Sequence, residues 1–291
     1  MAVAVTRTIG PVRGALAAAV TPLRDGGTRL DEAAFAPYAQ FLADGGIDGV
    51  LALGTTGEGI LLAAGERRRA LELLLAGVAG RLPVIAHCGA QTTAETVALA
   101  EHAASAGAAA VAVIAPPYYA FDEREQLAHL EAAAHACAPL PFYAYEFAAR
   151  SGYAVAPATI ARLRERAPNL AGIKVSDTPA SAVAAYLAEG LDVFAGSEAL
   201  LPELPGAAGT VSGLGAVYPE VVAAVVADPT GPALAQAAAL RALLAGRFCA
   251  TAKAALGLRG LPVRLDTRAP LRPLDPDELA ALQAALAGFG T

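Results

Sequence analysis

Ala171-Gly172-Ile173-Lys174-Val175-Ser176-Asp177 is a short apolar, β-branched run that ends in a lysine and opens into a polar turn. A run of this length with no alternation of polar residues reads as a strand buried on both faces, the kind that builds parallel sheets. Its lysine stands apart from the rest of the chain, because of 21 lysines and arginines only Lys174 and Lys253 are lysines. Arginine keeps its proton near neutral pH, whereas a lysine withdrawn from water can lose it, so Lys174 is a candidate amine nucleophile. The competing explanation is a buried ion pair, for which Asp177 is the carboxylate at hand.

Seven more runs of the same character surround it, at residues 14–20, 49–53, 83–87, 109–114, 141–145, 192–195 and 209–212. Helical patterns fill the intervals. Asp31 is placed to cap a helix whose inward stripe is Phe35, Tyr38, Phe41 and Leu42 and which Gly45-Gly46 ends. Residues 66–79, 93–106, 123–137, 157–166 and 179–189 continue the series. Eight strand-helix units predict a closed (β/α)₈ TIM barrel, an α/β fold, over residues 1–218. Residues 219–291 show helical pattern without further strands and are expected to form a C-terminal helical extension of the same structural unit.

Composition narrows the function. The net charge of -6 argues against a nucleic-acid partner, and the densest basic group, Glu66-Arg67-Arg68-Arg69, reads as the solvated face of a helix start. Three cysteines, Cys88, Cys137 and Cys249, cannot all pair within the chain and lack metal-ligand spacing, which favours a reducing compartment. Arg7 and Arg13 ahead of Gly14-Ala15-Leu16-Ala17-Ala18-Ala19-Val20 mimic a secretion leader, but the apolar run is short and leads into Thr21-Pro22. No stretch has the uninterrupted apolar length of a membrane span. A cytoplasmic protein without a membrane partner is therefore expected.

In a barrel of this kind chemistry sits at the carboxyl ends of the strands. The polar residues there are Thr21, Thr55, Thr56, His87, Tyr118, Tyr119, Tyr145, Lys174, Ser197, Glu198 and Ser212. This set has one lysine and several hydroxyls, without the carboxylate or histidine cluster that would hold a metal. The turn Gly54-Thr55-Thr56-Gly57-Glu58-Gly59 offers backbone N–H groups and hydroxyls to a small anion. A phenol at Tyr145 is suited to passing a proton, and Arg150, five residues on, to receiving an anionic substrate group.

Gly54-Thr55-Thr56-Gly57-Glu58, Pro117-Tyr118-Tyr119, Tyr145, Gly172-Ile173-Lys174 and Pro270-Leu271-Arg272-Pro273-Leu274, in this order, resemble the dihydrodipicolinate synthase and N-acetylneuraminate lyase family of pyruvate-dependent class I aldolases. The resemblance implies that Lys174 forms a Schiff base with the ketone of pyruvate or a related 2-oxo acid. It implies further that Thr55 and Thr56 bind the pyruvate carboxylate, with Thr55 in a proton relay, and that Tyr145 is the acid/base phenol above the imine. Tyr119 resembles the tyrosine that completes a neighbouring subunit's relay, which implies a dimer or, as is common in the family, a homotetramer built as a dimer of dimers. Val211 matches the residue whose carbonyl lies beside the reacting carbons, and Arg150 the arginine that binds the second substrate. No cofactor or metal is expected, since the covalent imine on Lys174 supplies the electron sink.

The second substrate, an aldehyde, is less defined. Tyr145-Glu146-Phe147-Ala148-Ala149-Arg150 keeps the arginine of the synthases but loses their Asn and Pro. Ser197, Glu198 and Ala216 lean toward a sugar-acid aldolase, and 4-hydroxy-tetrahydrodipicolinate synthase, joining pyruvate to aspartate semialdehyde, is the alternative. A non-catalytic barrel that binds a 2-oxo acid is the third reading.

Overall fold

A computed structural model describes residues 12–289. Eight parallel strands close into a barrel: β1 (Gly14–Ala18), β4 (Gly49–Ala52), β5 (Val84–His87), β6 (Ala110–Ile114), β7 (Phe142–Glu146), β8 (Leu170–Val175), β9 (Asp192–Ala195) and β10 (Gly209–Ser212), with β10 returning to pair with β1. Each falls on one of the eight runs read from sequence. Between β1 and β4 lie a two-stranded hairpin, β2 (Leu23–Arg24) and β3 (Arg29–Leu30), and helix α1 (Glu32–Asp44). The outer layer continues with α2 (Ala64–Val78), α3 (Thr93–Ala106), α4 (Glu123–Cys137), the single turn α5 (Ala148–Ser151), α6 (Pro157–Arg166) and α7 (Ala180–Ala184). After β10 come α8 (Pro219–Ala227), α9 (Ala233–Leu244), α10 (Phe248–Leu258) and α11 (Pro276–Ala287). Gly14–Ala18 of the leader-like stretch is thus β1, while Arg7 lies outside the described residues. Among the described residues no single helix is long and apolar enough to cross a membrane.

The period of two along each strand sorts side chains between two cores. Leu16, Leu51, Ile85, Ala110, Ala112, Tyr143, Phe194 and Val211 point into the barrel, while Val50, Val111, Val113, Phe142, Ile173, Val175 and Val193 face the helices. The alanines leave space that Tyr143 and Phe194 fill, their rings edge to face at 5.9 Å. Gly172 is required on this inner face, because a Cβ there would run into the Asp192 carbonyl and the Tyr143 ring.

Three local expectations are corrected. Asp31 precedes α1 but makes no side-chain cap; its carboxylate instead accepts from Arg264 at 2.9 Å, tying the helix start to the C-terminal segment. The helix read over 179–189 is α7 followed by a 3₁₀ turn, Leu187–Glu189. Arg67 is not on a solvated face: it is buried and donates to the carbonyls of His87 at 2.8 Å and Gly89 at 3.0 Å, pinning the end of β5. Its neighbours Arg68 and Arg69 are exposed.

Candidate active site

Lys174 sits on the inner face because Gly172, two residues earlier, does, and the same parity carries Tyr145 inward from Tyr143. The register of β7 against β8 sets Tyr145 opposite Lys174. The amine Nζ therefore lies 3.9 Å from the centre of the Tyr145 ring. Both residues are buried, and Lys174 has no ion-pair partner among the described residues. Asp177, the carboxylate that would have made the lysine structural, is committed elsewhere: its Oδ2 accepts from Ala148 N at 3.0 Å, at the start of α5.

The Tyr145 hydroxyl is the centre of a chain of hydroxyls. Thr55 Oγ1 lies 3.4 Å from it, and Ser176 Oγ donates to it at 3.5 Å. Burial pushes the phenol's pKa up, but the Lys174 ammonium and the bonds from Ser176, Thr55 and Lys174 outweigh burial and bring it below the usual tyrosine value. Ser176 was missed as a site residue in the sequence. Its parity with Lys174 was the available signal, since the β7–β8 ladder continues through Ser176 N to the Glu146 carbonyl at 2.9 Å.

Thr55 joins this group to a cavity of about 450 Å³, which the buried Lys174 and Tyr145 do not themselves line. Thr55, Thr56, Glu58, His87 and Arg150 lie on its wall. Thr55 is exposed to it and Thr56 largely enclosed. Val211 belongs to the apolar interior just below, side chain buried. His87 contributes framework, not a free nitrogen. Burial, then the charges of Arg67 and Lys174, hold its pKa down to about 3, so the ring is neutral. Nδ1 then donates to the Leu53 carbonyl at 3.2 Å, and Nε2 accepts from Ile114 N at 3.3 Å.

The far wall comes from the C-terminal segment, which sequence reading treated as a packing extension. Arg247, Phe248, Cys249, Thr267 and Arg272 all line the cavity. Gly213 has no room for a side chain because the Phe248 ring occupies that space. Arg247 and Arg272 share the carboxylate of Glu278, and Arg150 forms no ion pair among the described residues, so the mouth carries excess positive charge. The turn bearing Thr55 and Thr56 is anchored from the same side. Glu58, held at φ +56°, pairs with the buried Lys253 at 2.5 Å and accepts from Arg268 N at 2.6 Å.

Other sequence candidates do not reach the cavity. Ser212 alternates with Val211, so it points outward and donates to Glu198 at 2.5 Å. Glu198 is wholly buried, with Arg241 at 2.5 Å on its other oxygen. Ser197 Oγ accepts from Ala199 N, and the buried Ala216 gives its carbonyl to Tyr38. Thr21 donates to the Gly57 carbonyl at 2.7 Å, a brace for the turn. Tyr119 is 69% exposed and Tyr118 86%, and neither lines the chain's own cavity, although Pro117 beside them does. Tyr118 has φ +90°, a strained conformation for a tyrosine that turns the pair off the barrel.

The model of the dihydrodipicolinate synthetase family matches residues 11–288. An uncharacterized DapA-like lyase from Halobacterium salinarum is 39% identical over 278 residues, covering 91% of this chain and 90% of the relative. A 4-hydroxy-tetrahydrodipicolinate synthase from Synechococcus sp. (strain WH7803) is 37% identical over 288 residues, covering 94% of each. Among solved structures, YagE, a prophage protein of the dihydrodipicolinic acid synthase family from E. coli K12 in complex with pyruvate, superimposes with a TM-score of 0.87 at 26% identity, covering 95% of this chain and 98% of that one.

Proposed function

The chain belongs to the dihydrodipicolinate synthetase family, whose enzymes are carbon–carbon lyases, and from that premise we propose that it makes or breaks a carbon–carbon bond of a 2-oxo acid through an imine on Lys174, with pyruvate as one partner. The observation that carries this reading is a buried amine against the Tyr145 ring, at the carboxyl end of a barrel strand and with no carboxylate paired to it among the described residues.

In this reading the neutral amine adds to the keto carbon of pyruvate. The hydroxyl of the adduct leaves as water after taking a proton along the Tyr145–Thr55 chain, and a protonated imine remains. Its positive nitrogen draws electron density from the adjacent carbon, which loses a proton to give an enamine. The enamine carbon attacks the aldehyde carbon, the aldehyde oxygen takes up a proton, and water releases the product and restores Lys174. Cleavage runs the same steps in reverse. The Gly54–Gly59 turn supports the reading with the hydroxyls of Thr55 and Thr56 and its backbone N–H groups, a cradle for the pyruvate carboxylate.

For the second partner we propose an aldehyde with an anionic group, as in 4-hydroxy-tetrahydrodipicolinate synthase. The lean toward a sugar-acid partner rested on Ser197, Glu198 and Ala216, which serve as framework away from the cavity. The names of relatives such as the Synechococcus enzyme favour the synthase, and Arg150, Arg247 and Arg272 around the mouth suit an anionic acceptor. Incubation with pyruvate and borohydride should add the mass of a reduced pyruvyl group to the peptide containing Lys174. No adduct with pyruvate or other 2-oxo acids would overturn the imine. A screen of pyruvate with aspartate semialdehyde and neutral sugar aldehydes tests the acceptor, and faster turnover of the sugars would reverse that half of the reading.

Tyr119 enters the reading through a second copy of the chain. Exposed beside Tyr118 and stacked edge-on against it and Phe121, at 5.0 Å between the paired rings and 6.4 Å to Phe121, it is presented outward as a rigid group. A homotetramer in which it completes a neighbour's relay follows, in a cytoplasmic enzyme. Light scattering should give the mass of four chains; the mass of one would remove Tyr119 from the site.

A further inference from the structure

Glu146 is a buried carboxyl to which the reaction above gives no task. It ends β7 one residue after Tyr145, so its side chain leaves the opposite face of the sheet, away from Lys174. Its Oε2 accepts from Val155 N at 2.8 Å. Its Oε1 is enclosed and makes no well-formed hydrogen bond among the described residues: the nearby Ala148 N–H, which favours the carboxylate, is given to Asp177, the acid beside it. As a carboxylate, Glu146 would leave that oxygen unsatisfied beside a second negative charge, which is costly in the interior. As a carboxylic acid it has an O–H to give, and Asp177 has an oxygen to accept it.

The remaining titratable groups around Glu146 agree with one shared proton. Tyr153 donates to the Pro116 carbonyl at 2.8 Å and Tyr186 to the Val155 carbonyl at 2.5 Å. Both phenols are held above the usual tyrosine range, by burial first and then by the acids beside them: Glu146 and Glu125 for Tyr153, Glu146 and Asp177 for Tyr186. Both stay neutral through the physiological range. No lysine or arginine contributes to the shift at Glu146. Burial, reinforced by Asp177, raises its pKa to about 8.

The two acids hold both ends of one segment. Asp177 receives Ala148 N and Glu146 receives Val155 N; Arg150 and Ser151 lie between these points, and Phe147 directly precedes the first. Phe147 stacks on Tyr145 with ring centres 6.4 Å apart and carries the Arg150 guanidinium 5.6 Å above its own ring. We propose that Glu146 is a positioning residue: the proton it shares with Asp177 clamps residues 147–155 and thereby fixes Arg150 at the cavity mouth, so that capture of an anionic acceptor is lost when that proton leaves. The inference rests on the reading of Arg150 as the acceptor's anchor. A raised carboxyl pKa means that the protonated form belongs to the folded clamp. The clamp's stability is fully present below the ordinary carboxyl range, weakens as pH rises above that range, and is lost as pH rises through about 8.

The test is the KM for aspartate semialdehyde at saturating pyruvate from pH 6.5 to 9.5, with amide hydrogen exchange of residues 147–155 in the same full-length protein, corrected for intrinsic rates. The unmodified chain should show KM rising about tenfold across the range, with exchange protection falling in parallel. Glu146→Gln carries a permanent donor toward Asp177 and should hold both quantities flat. Equal pH dependence of exchange in the unmodified chain and in Glu146→Gln would overturn the clamp. Arg150→Ala separates the premise: it should raise KM at every pH while leaving the exchange transition intact. If it leaves KM unchanged, the acceptor reading of Arg150 fails, and the exchange data still decide the clamp.

Discussion

Lys174→Arg is expected to abolish turnover while the barrel stays folded. The substitution retains a cation over the Tyr145 ring, where Nζ now lies at 3.9 Å, but a guanidinium does not give up its proton and cannot add to a ketone. If the imine is the route, kcat falls by at least about 10⁴-fold and borohydride trapping with pyruvate finds no adduct. Fitting the larger head into the buried site costs about 1–3 kcal/mol, which denaturant titration reads. Retention of even a tenth of the turnover would show that the amine is not the nucleophile. A tyrosine or threonine acting alone would be expected to survive this change, which makes it the sharpest division between imine chemistry and any other use of the same cavity.

The second lysine is expected to fail in a different way. Lys253 is entirely buried, 2.5 Å from Glu58 and donating to the Asp266 carbonyl at 2.7 Å. Lys253→Met removes the cation and leaves the Glu58 carboxylate enclosed, with the Arg268 N–H as its remaining donor. Breaking a buried pair from one side costs about 3–5 kcal/mol, measurable as a lower denaturation midpoint at unchanged slope. Replacing both partners, Lys253→Met with Glu58→Gln, should recover a good part of that loss, because no uncompensated charge remains. A single-variant loss below about 1 kcal/mol would mean that the pair contributes little. Since Glu58 shares its turn with Thr55 and Thr56, the single variant should also slow adduct formation with pyruvate, although Lys253 touches no substrate atom in the proposed mechanism.

These two lysines also show how far the sequence carried. Lys174 was legible as unusual because the chain otherwise uses arginine, and its position at the end of an apolar run placed it at the catalytic end of a barrel. The same rarity applied to Lys253, yet nothing local said that its partner would be Glu58, 195 positions away in the chain. The hairpin Leu23–Arg24 with Arg29–Leu30 and the short α5 escaped notice because two-residue strands and single turns have no periodicity to detect. Ser212 and Ser176 were open to a stricter reading. Counting by twos from Val211 and Lys174 puts the first outside and the second inside, as the hydrogen bonds to Glu198 and Tyr145 show.

The sequence by itself determined the alternation of buried strands and covering helices, and with it the barrel and the end at which chemistry occurs, because hydrophobic period and turn residues are local properties. The tertiary structure decided which polar residues are framework and which line the cavity. Arg67 in the run of arginines, Asp31 at a helix start and Glu198 at a strand end each take their role from a partner that folding delivers: the His87 carbonyl, Arg264 and Ser212. A polar side chain can be buried only where such a partner satisfies it, and the register that sets Tyr145 beside Lys174, like the C-terminal wall that faces Thr55 across the cavity, exists only once the barrel has closed.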